Sequence, residues 1–325
     1  MTNLSKNNFE IDAVIAWVDG NDENHIDKLK QYVENKSSLN QKGFLTRFNE
    51  VNEIEYCIKS IKKFAPYVRN IYVVTDEQTP AFLKDPKKSG RYDNVKIIDH
   101  TAVFKGFECY LPVFNSNSIE TMITRIPGLS EYFIYFNDDM FLIWETESTD
   151  FFTTEGLPVV RGNWATYEST KFKDFLKKVG LKKERVSRLG YKKGQENSAK
   201  ILGFKKYLKI SHTPFPIRKS IINDYFDKNP EVLISNIKYR FRVPTYFMIQ
   251  SHAAHLEALN NSLELKKSVK LIQFGSTAKP LSWIKYKFSS QEKYRSKLFL
   301  NIQSLDLYPE KKLNYILNWL DKILE

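Results

Sequence analysis

The chain has 325 residues, 42% of them hydrophobic, and a net charge of +12, a composition typical of a globular protein that excludes a disordered one. No apolar run approaches the roughly 18 residues that a membrane span needs, and the polar N-terminus lacks the apolar core of a signal peptide, so we expect a cytoplasmic protein. Cys57 and Cys109 are the only cysteines, which excludes a disulfide framework and zinc-ligand spacing, and Cys57 is predicted to pack in the core.

Charge divides the chain near residue 160. Residues 1–160 carry 17 Lys and Arg against 24 Asp and Glu, a net charge of −7, whereas residues 161–325 carry 33 against 14, a net charge of +19. A basic half has affinity for phosphates, anionic lipid headgroups or nucleic acid, although many of these lysines are expected only to solubilise the surface.

Strand-like and helix-like segments alternate in the first half. The predicted elements are a strand at 11–18, a helix at 53–64, strands at 69–75 and 95–98, a helix at 116–125 capped by Ser116 or Ser118, and a strand at 132–136. This alternation predicts an α/β fold with a mainly parallel, Rossmann-like sheet flanked by helices.

The second half is less regular and more helical. Residues 170–200 are rich in lysine and predict a surface insertion or loop, and residues 217–226 and 246–259 predict helices. Residues 283–298 mix Trp, Tyr, Phe and Lys. Residues 311–324 form an amphipathic pattern that we interpret as a docking helix rather than a membrane contact, because its polar face is not especially basic.

Acidic residues follow two of the predicted strands. Asn137, Asp138 and Asp139 come directly after the strand at 132–136, and carboxylates there suit a divalent cation, Mg²⁺ or Mn²⁺, that neutralises a diphosphate. Ligands of open α/β sheets bind outside the carboxyl ends of strands, so these acids predict a binding site. The alternative is an ordinary polar turn.

A similar acidic cluster follows the first strand. It consists of Asp19, Gly20, Asn21 and Asp22, where the glycine permits a tight turn and the carboxylates can meet a nucleotide. An ordinary Asx turn is an equally good explanation from spacing alone.

Basic side chains supply the remaining candidates. His212 and Arg218 surround two prolines, and Arg47 and Arg242 lie elsewhere in the chain. A guanidinium group is suited to binding phosphate in two-pronged geometry, and a histidine can accept a proton from a hydroxyl group. A surface salt bridge is the alternative for each of them. We expect His252 and His255, despite their metal-like spacing, to lie on a helix surface.

Three blocks of the sequence resemble those that define the Stealth proteins, a family that transfers sugar 1-phosphates. The first block is 11–22, the second includes 47–53, the helix to 68, 70–76, 111–116, 119–120, 125–130 and 135–140, and the third is 212–218 with Phe241 and Arg242. Residues 297–303 are the best match to the fourth block, but they lack the expected Asn-Asp pair.

The resemblance implies capsule, exopolysaccharide or other surface-polysaccharide biosynthesis in bacteria. The implied reaction transfers a hexose 1-phosphate from a UDP-sugar to a hydroxyl group of a glycan or lipid-linked oligosaccharide, with a divalent metal, and releases UMP. We expect a GT-A-like, nucleotide-sugar-binding core at 1–160 and a largely helical basic part at 161–325 that together form one catalytic unit. The basic part is then available to hold an anionic acceptor, with peripheral contact to the inner membrane.

Each candidate residue takes a role in this reaction. Asn137, Asp138 and Asp139 are expected to hold the metal, Arg218 and Arg242 to neutralise the transferred phosphoryl group, and His212 to act as the base. The donor-binding residues are expected to be Asp19, Gly20, Asn21, Asp22, Arg47 and Asp76.

Two other functions fit parts of the sequence. A metal-dependent glycosyltransferase would use the same acids but break the sugar–phosphate bond and release UDP. A nucleic-acid-binding module would fit the high net charge, but no nucleic-acid motif supports it and the acidic first half argues against it.

Overall fold

The computed structural model describes residues 9–33, 51–85, 87, 89–167, 190–275 and 277–325. Its strands are β1 Ile11–Ala16, β2 Val68–Thr75, β3 Val95–Asp99, β4 Tyr132–Asn137, β5 Met140–Leu142, β6 Val159–Ala165, β7 Tyr207–Ile210, β8 Phe215–Arg218, β9 Glu264–Lys266, β10 Leu271–Phe274 and β11 Phe299–Ile302. Its α-helices are α1 Glu23–Tyr32, α2 Glu53–Phe64, α3 His100–Val103, α4 Ser116–Met122, α5 Tyr191–Ile201, α6 Lys219–Lys228, α7 Pro230–Ile237, α8 Ile249–Leu259, α9 Leu281–Tyr294 and α10 Glu310–Leu324.

A five-stranded sheet forms the centre of the fold, with the strand order β3-β2-β1-β4-β8. Strands β1 to β4 are parallel, and β8 runs antiparallel to β4. Ala16 lies opposite both Val74 and Asn137, so the parallel strands end together. We call that side of the sheet the carboxyl edge and the opposite side the amino edge. The prediction of a mainly parallel α/β sheet flanked by helices is confirmed.

The central strands are buried runs of apolar residues, as a sheet covered by helices requires. Helix α2 covers the sheet with Ile54, Cys57, Ile58 and Ile61, all of them buried, which confirms the predicted packing role of Cys57. The predicted helix at 116–125 is present as α4 and a following 3₁₀ turn. Its N-cap, however, is Asn115, whose side chain accepts a hydrogen bond from the Asn117 N–H, rather than either predicted serine.

Two small sheets complete the fold, with the orders β10-β11-β5 and β7-β6-β9. Strand β5 begins directly after Asp139, so the acidic turn links the central sheet to the first small sheet. Helix α10 buries Ile316, Trp319 and Leu320, as expected of a docking helix. No helix in the described part of the chain is long and apolar enough to cross a membrane.

Three local predictions in the second half are wrong. The predicted surface loop at 170–200 contains α5, which buries Gln195, Ser198 and Ala199, while residues 170–189 lie outside the described residues. The helix predicted from residue 217 begins at Lys219, because β8 extends to Arg218. His252 and His255 are buried inside α8 rather than exposed on a helix surface.

Candidate active site

An open cleft lies at the carboxyl edge of the central sheet. It is lined by Ala16, Trp17, Val18, His25, Val113, Phe114, Ser116, Ile119, Glu120, Tyr135, Asn137, Asp138 and Arg242. Residues from the ends of β1 and β4 form its floor, α4 contributes one wall, and Arg242 reaches it from the chain between α7 and α8. Asp138 and its neighbour Asn137 therefore share a cleft with one of the two arginines predicted to bind phosphate.

The acidic turn after β4 is held by the neighbouring small sheet. The Asp139 carbonyl oxygen accepts hydrogen bonds from the Asn301 side-chain Nδ2 and from the Ile302 N–H, both at 3.1 Å. The Asp139 N–H donates to Asp138 Oδ1 at 3.0 Å. These contacts fix the backbone of the turn without using the carboxylate of Asp139.

His212 lies beside the acidic turn because β8 runs antiparallel to β4, which places the residues just before β8 at the carboxyl edge. Its Nε2 is 3.4 Å from Asn137 Nδ2 and 3.8 Å from Asp139 Oδ1. The ring of Tyr191 packs edge-on against the imidazole, with 4.9 Å between ring centroids. The structure thus brings His212 together with two of the three predicted metal-binding residues.

Arg242 and a buried carboxylate, Glu120, also line the cleft. Arg242 Nη2 donates to Ser116 Oγ at 2.5 Å. Glu120, one helical turn after Ser116, is 8% exposed and accepts a hydrogen bond from Gln250 Nε2 at 2.8 Å. Burial raises the pKa of Glu120, and the positive charge of Arg242 acts in the opposite direction. This glutamate is a site residue to which the sequence reasoning gives no role.

The helical pattern of the sequence contains an indication of the position of Glu120. Ile119 and Ile123 predict the buried face of α4, and Glu120 lies beside that face one turn after Ser116. A charged residue on the inward side of a helix needs a polar partner or a ligand. That argument identifies Glu120 as a candidate without giving its role.

Arg218 does not join this group, which corrects the expectation that it neutralises the phosphoryl group. It pairs with Tyr132 in the sheet register, at the start of β4, whereas the acids follow the end of that strand. The length of β4 separates them by roughly 17 Å at about 3.3 Å per residue. Its guanidinium instead binds the buried carboxylate of Glu257, with Nε 2.7 Å from Oε1.

Two of the predicted donor-binding residues lie at the carboxyl edge but belong to a second cavity. Asp22 and Asp76 line that cavity, and His25 lines both it and the cleft. Asp22 caps α1 by accepting from the His25 N–H at 2.9 Å, and His25 Nδ1 is 3.2 Å from Asp76 Oδ2. Burial acts to raise the pKa of Asp76, but the hydrogen bond to His25 and nearby positive charges lower it overall.

The other predicted donor-binding residues have local partners or lie outside the structure. Asp19 accepts from the Asn21 N–H at 2.9 Å, and its backbone exchanges two hydrogen bonds with the side chain of Gln78. Gly20 lies in the turn between Asp19 and Asn21. Arg47 falls outside the described residues. The acids after β1 and β4 nevertheless lie on one side of the molecule, as the argument for a shared site requires.

The acidic turn fits a divalent cation by its unused donor atoms. Asp139 Oδ1 is buried and accepts no hydrogen bond from the residues that the structure describes. A buried carboxylate oxygen therefore lacks a hydrogen-bond partner. The described residues contain no cluster of three or more His, Cys, Asp or Glu side chains that would form a complete protein cage. Mg²⁺ does not need one, since it is usually held by one or two carboxylates together with substrate phosphates and water.

Comparison with known proteins settles the family. Residues 9–37 match the model described as Stealth protein CR1, conserved region 1, and residues 47–160 match Stealth protein CR2, conserved region 2. The chain is 34% identical over 263 residues to the capsular polysaccharide phosphotransferase WcwK of Streptococcus pneumoniae, which covers 73% of this chain and 74% of that protein. The chain belongs to the Stealth family. The predicted family membership is confirmed.

Other relatives of this Stealth protein carry related names. The receptor polysaccharide phosphotransferase WefC of Streptococcus gordonii is 34% identical, with 73% of this chain and 74% of that protein covered. The exopolysaccharide phosphotransferase cps2G of Lactiplantibacillus plantarum is 43% identical over 150 residues, which span 46% of this chain but only 41% of that protein.

Solved structures with a similar arrangement include glycosyltransferases of low sequence identity. The galactosyltransferase LgtC, in complex with donor and acceptor sugar analogs, superposes with a TM-score of 0.41 and 11% identity, covering 96% of this Stealth protein and 95% of LgtC. The apo-form glycosyltransferase GlyE of Streptococcus pneumoniae TIGR4 has a TM-score of 0.38 and 11% identity, covering 97% and 62%.

Proposed function

We propose that this Stealth protein is a phosphotransferase that moves a hexose 1-phosphate from a UDP-sugar to a hydroxyl group of a glycan or lipid-linked oligosaccharide. The product is a phosphodiester linkage in a bacterial surface polysaccharide, and UMP is released. One observation carries the proposal: at the carboxyl edge of the sheet, the acidic turn lies between Arg242, which shares a cleft with Asp138, and His212, which lies beside Asn137 and Asp139. The names of the capsular and exopolysaccharide phosphotransferases to which the chain is similar agree with this reaction.

The reaction joins an acceptor oxygen to phosphorus. The acceptor hydroxyl attacks the β-phosphorus of the UDP-sugar, the diphosphate bridge breaks, and UMP leaves with the bridging oxygen and its electron pair. Negative charge spreads over the phosphoryl oxygens during transfer, so catalysis depends mainly on positioning and electrostatic stabilisation. A divalent cation, Mg²⁺ or Mn²⁺, held by Asn137, Asp138 and Asp139 supplies charge neutralisation at the diphosphate when it is bound.

The protein side chains divide the remaining tasks. His212 accepts the proton of the acceptor hydroxyl, since its imidazole lies beside the acidic turn where the reacting phosphate would be held. Arg242 places a positive charge in the cleft that Asn137 and Asp138 line, where it neutralises the phosphoryl oxygens. Ser116 orients that guanidinium through the 2.5 Å hydrogen bond, and Glu120 lines the same cleft.

The decisive experiment identifies the released nucleotide. The full chain is incubated with Mg²⁺, a panel of UDP-sugars and acceptor glycans, and the nucleotide product is measured by mass. UMP supports sugar-phosphate transfer, whereas UDP assigns the cleft to a metal-dependent glycosyltransferase. Asp138→Asn serves as the inactive control, and Glu155→Gln, at an exposed acid in a distant turn, serves as the matched active control.

A further inference from the structure

Helix α9 presents an exposed face that combines aromatic and basic side chains. Tyr286 and Tyr294 are 66% and 64% exposed, and no other large apolar or aromatic side chain in the described part of the chain exceeds 50%. They lie eight residues apart, about 12 Å along the helix axis. The opposite face of the helix is anchored in the core by Ile284, Phe288 and Gln291.

Positive charge surrounds these tyrosines. Residues 279–297 contain six Lys or Arg, which are Lys279, Lys285, Lys287, Lys293, Arg295 and Lys297, and one acid, Glu292. Glu292 is engaged by Lys322, 2.8 Å away. We call the exposed tyrosines and the six basic residues the α9 patch. With one acid in the segment, its net charge is +5.

The basic side chains of the α9 patch lie across aromatic rings. Lys279 and Lys287 approach the ring of Trp283 at 5.2 and 5.4 Å from its centroid, and Arg295 lies 4.4 Å from that of Trp144. In such contacts the positive charge is attracted to the face of the ring, so the aromatic and basic side chains form one continuous surface. A groove lined by Trp283, Lys287 and Lys297 runs along the same helix.

The α9 patch is connected to the acidic turn through one small sheet. Strand β10, which precedes α9, ends at Phe274, and Phe274 pairs with Ile302 of β11. The Ile302 N–H donates to the carbonyl oxygen of Asp139. A surface bound by α9 would therefore be connected to the proposed active site through the sheet of β10, β11 and β5.

We propose that the α9 patch binds the headgroup region of an anionic phospholipid bilayer. Clustered lysines attract anionic headgroups, and tyrosines are favoured at the depth where their rings meet apolar chains and their hydroxyl groups remain hydrated. A soluble polyanion would bind the lysines but would not account for two exposed tyrosines on the same helix. The lipid contact itself does not depend on the reaction proposed above.

Vesicle binding tests this inference with the full chain. Vesicles of phosphatidylcholine alone are compared with vesicles containing 30% phosphatidylglycerol in a cosedimentation assay at low and high salt. We expect binding only to the anionic vesicles and its loss at high salt, because the Debye length shortens to about 3 Å at 1 M. Lys285→Glu with Lys287→Glu should lower the partition coefficient by at least about 25-fold, about fivefold for each positive charge removed.

Two further variants separate this surface from net charge. Lys84→Glu with Lys228→Glu makes the same change in charge at exposed lysines outside the patch, and it should lower binding far less. Tyr286→Ser with Tyr294→Ser should weaken binding several-fold at unchanged charge. Equal losses in the two charge-reversal variants would overturn the proposal.

The variant Lys285→Glu with Lys287→Glu also distinguishes lipid binding from catalysis. Lys285 and Lys287 are not part of the proposed catalytic machinery, so transfer to a soluble acceptor should continue in Lys285→Glu with Lys287→Glu. If the unmodified chain carries out transfer but does not bind anionic vesicles, the lipid-binding surface alone is rejected. Binding of a soluble glycerol-phosphate polymer through the α9 patch, without binding to anionic vesicles, would assign the surface to a glycan instead.

Discussion

The two edges of the central sheet both bury charged side chains, and they differ in how completely those side chains are paired. At the amino edge, Asp12 accepts hydrogen bonds from Arg69, from Asn70 and from the backbone N–H of Ser130. Burial acts to raise the pKa of Asp12, but these partners hold it below its usual value. Arg218 and Glu257 form a second ion pair on that side.

At the carboxyl edge, the charged and polar side chains around the acidic turn are incompletely paired. Asp139 Oδ1 and His212 Nδ1 are both buried without a hydrogen-bond partner among the described residues. Unsatisfied buried polar atoms are costly, and in native structures they call for an explanation such as catalysis or an ion. The comparison teaches that charge at the amino edge is paired within the fold, whereas charge beside the acidic turn is less completely paired, as the proposed ligand site requires. Each prediction below tests one side of this contrast.

The largest effect is expected for Asp139→Asn at the carboxyl edge. It removes a negative charge from the proposed diphosphate site, so transfer should fall by about 10³ or more, or about 4 kcal/mol of transition-state stabilisation. The free energy of unfolding should change by less than about 1 kcal/mol, because the buried Oδ1 accepts no hydrogen bond among the described residues and its contact with His212 Nε2 is long, at 3.8 Å. Steady-state transfer and thermal unfolding measure the two quantities, and a large loss of stability would contradict the contrast between the edges.

The counterpart at the amino edge is Arg218→Met. It leaves the Glu257 carboxylate, which is 2% exposed, without its ion-pair partner, so unfolding should become easier by about 3 kcal/mol. Transfer per folded molecule should stay near the wild-type value, since Arg218 lies away from the cleft. Denaturant unfolding measures the loss, and adding Glu257→Gln should recover part of it. Abolished transfer in a fully folded Arg218→Met protein would restore the catalytic role expected from sequence.

An intermediate effect is expected for Arg242→Lys. The lysine keeps the positive charge but cannot bind two oxygens with a planar fork, and its contact with Ser116 is lost. Transfer should fall by about 10², with little change in the unfolding temperature. Arg240→Lys is the matched control, because Arg240 lies on the ring of Tyr32 and does not line the cleft. Equal losses in both variants would show that Arg242 acts through local structure.

The sequence predicts the central sheet because its strands are buried apolar runs that end in acids. It does not predict α5, whose buried side chains Gln195, Ser198 and Ala199 are small or polar and give no apolar periodicity. The sequence also does not predict at which edge of the sheet Arg218 lies. Proline spacing shows that the segment is extended, but only the antiparallel pairing with β4 shows which end reaches the acids. His212 and Arg218 are six residues apart and therefore reach opposite edges.

The fourth sequence block also has a structural role that the sequence does not predict. Residues 297–303 lack the expected Asn-Asp pair, and no pattern in them predicts a contact with the acidic turn. The structure places Asn301 of β11 against Asp139 through the antiparallel pairing of β11 with β5. A position that the sequence leaves without a role thus supports the residue on which the proposed metal site depends.

The smallest effect is expected for Asn301→Ala. The side chain of Asn301 is fully buried and donates from Nδ2 to the Asp139 carbonyl oxygen at 3.1 Å, so its removal loosens the acidic turn without removing a ligand. The Ile302 N–H still holds the same carbonyl, which limits the expected loss of transfer to about tenfold. The apparent affinity for Mg²⁺ should fall by a similar factor, and saturating Mg²⁺ should restore much of the rate. Gln273→Ala, which removes a weaker 3.5 Å contact to Asn301, should have less effect on both. A loss that saturating Mg²⁺ leaves unchanged would separate Asn301 from metal binding and reduce its role to packing in the small sheet.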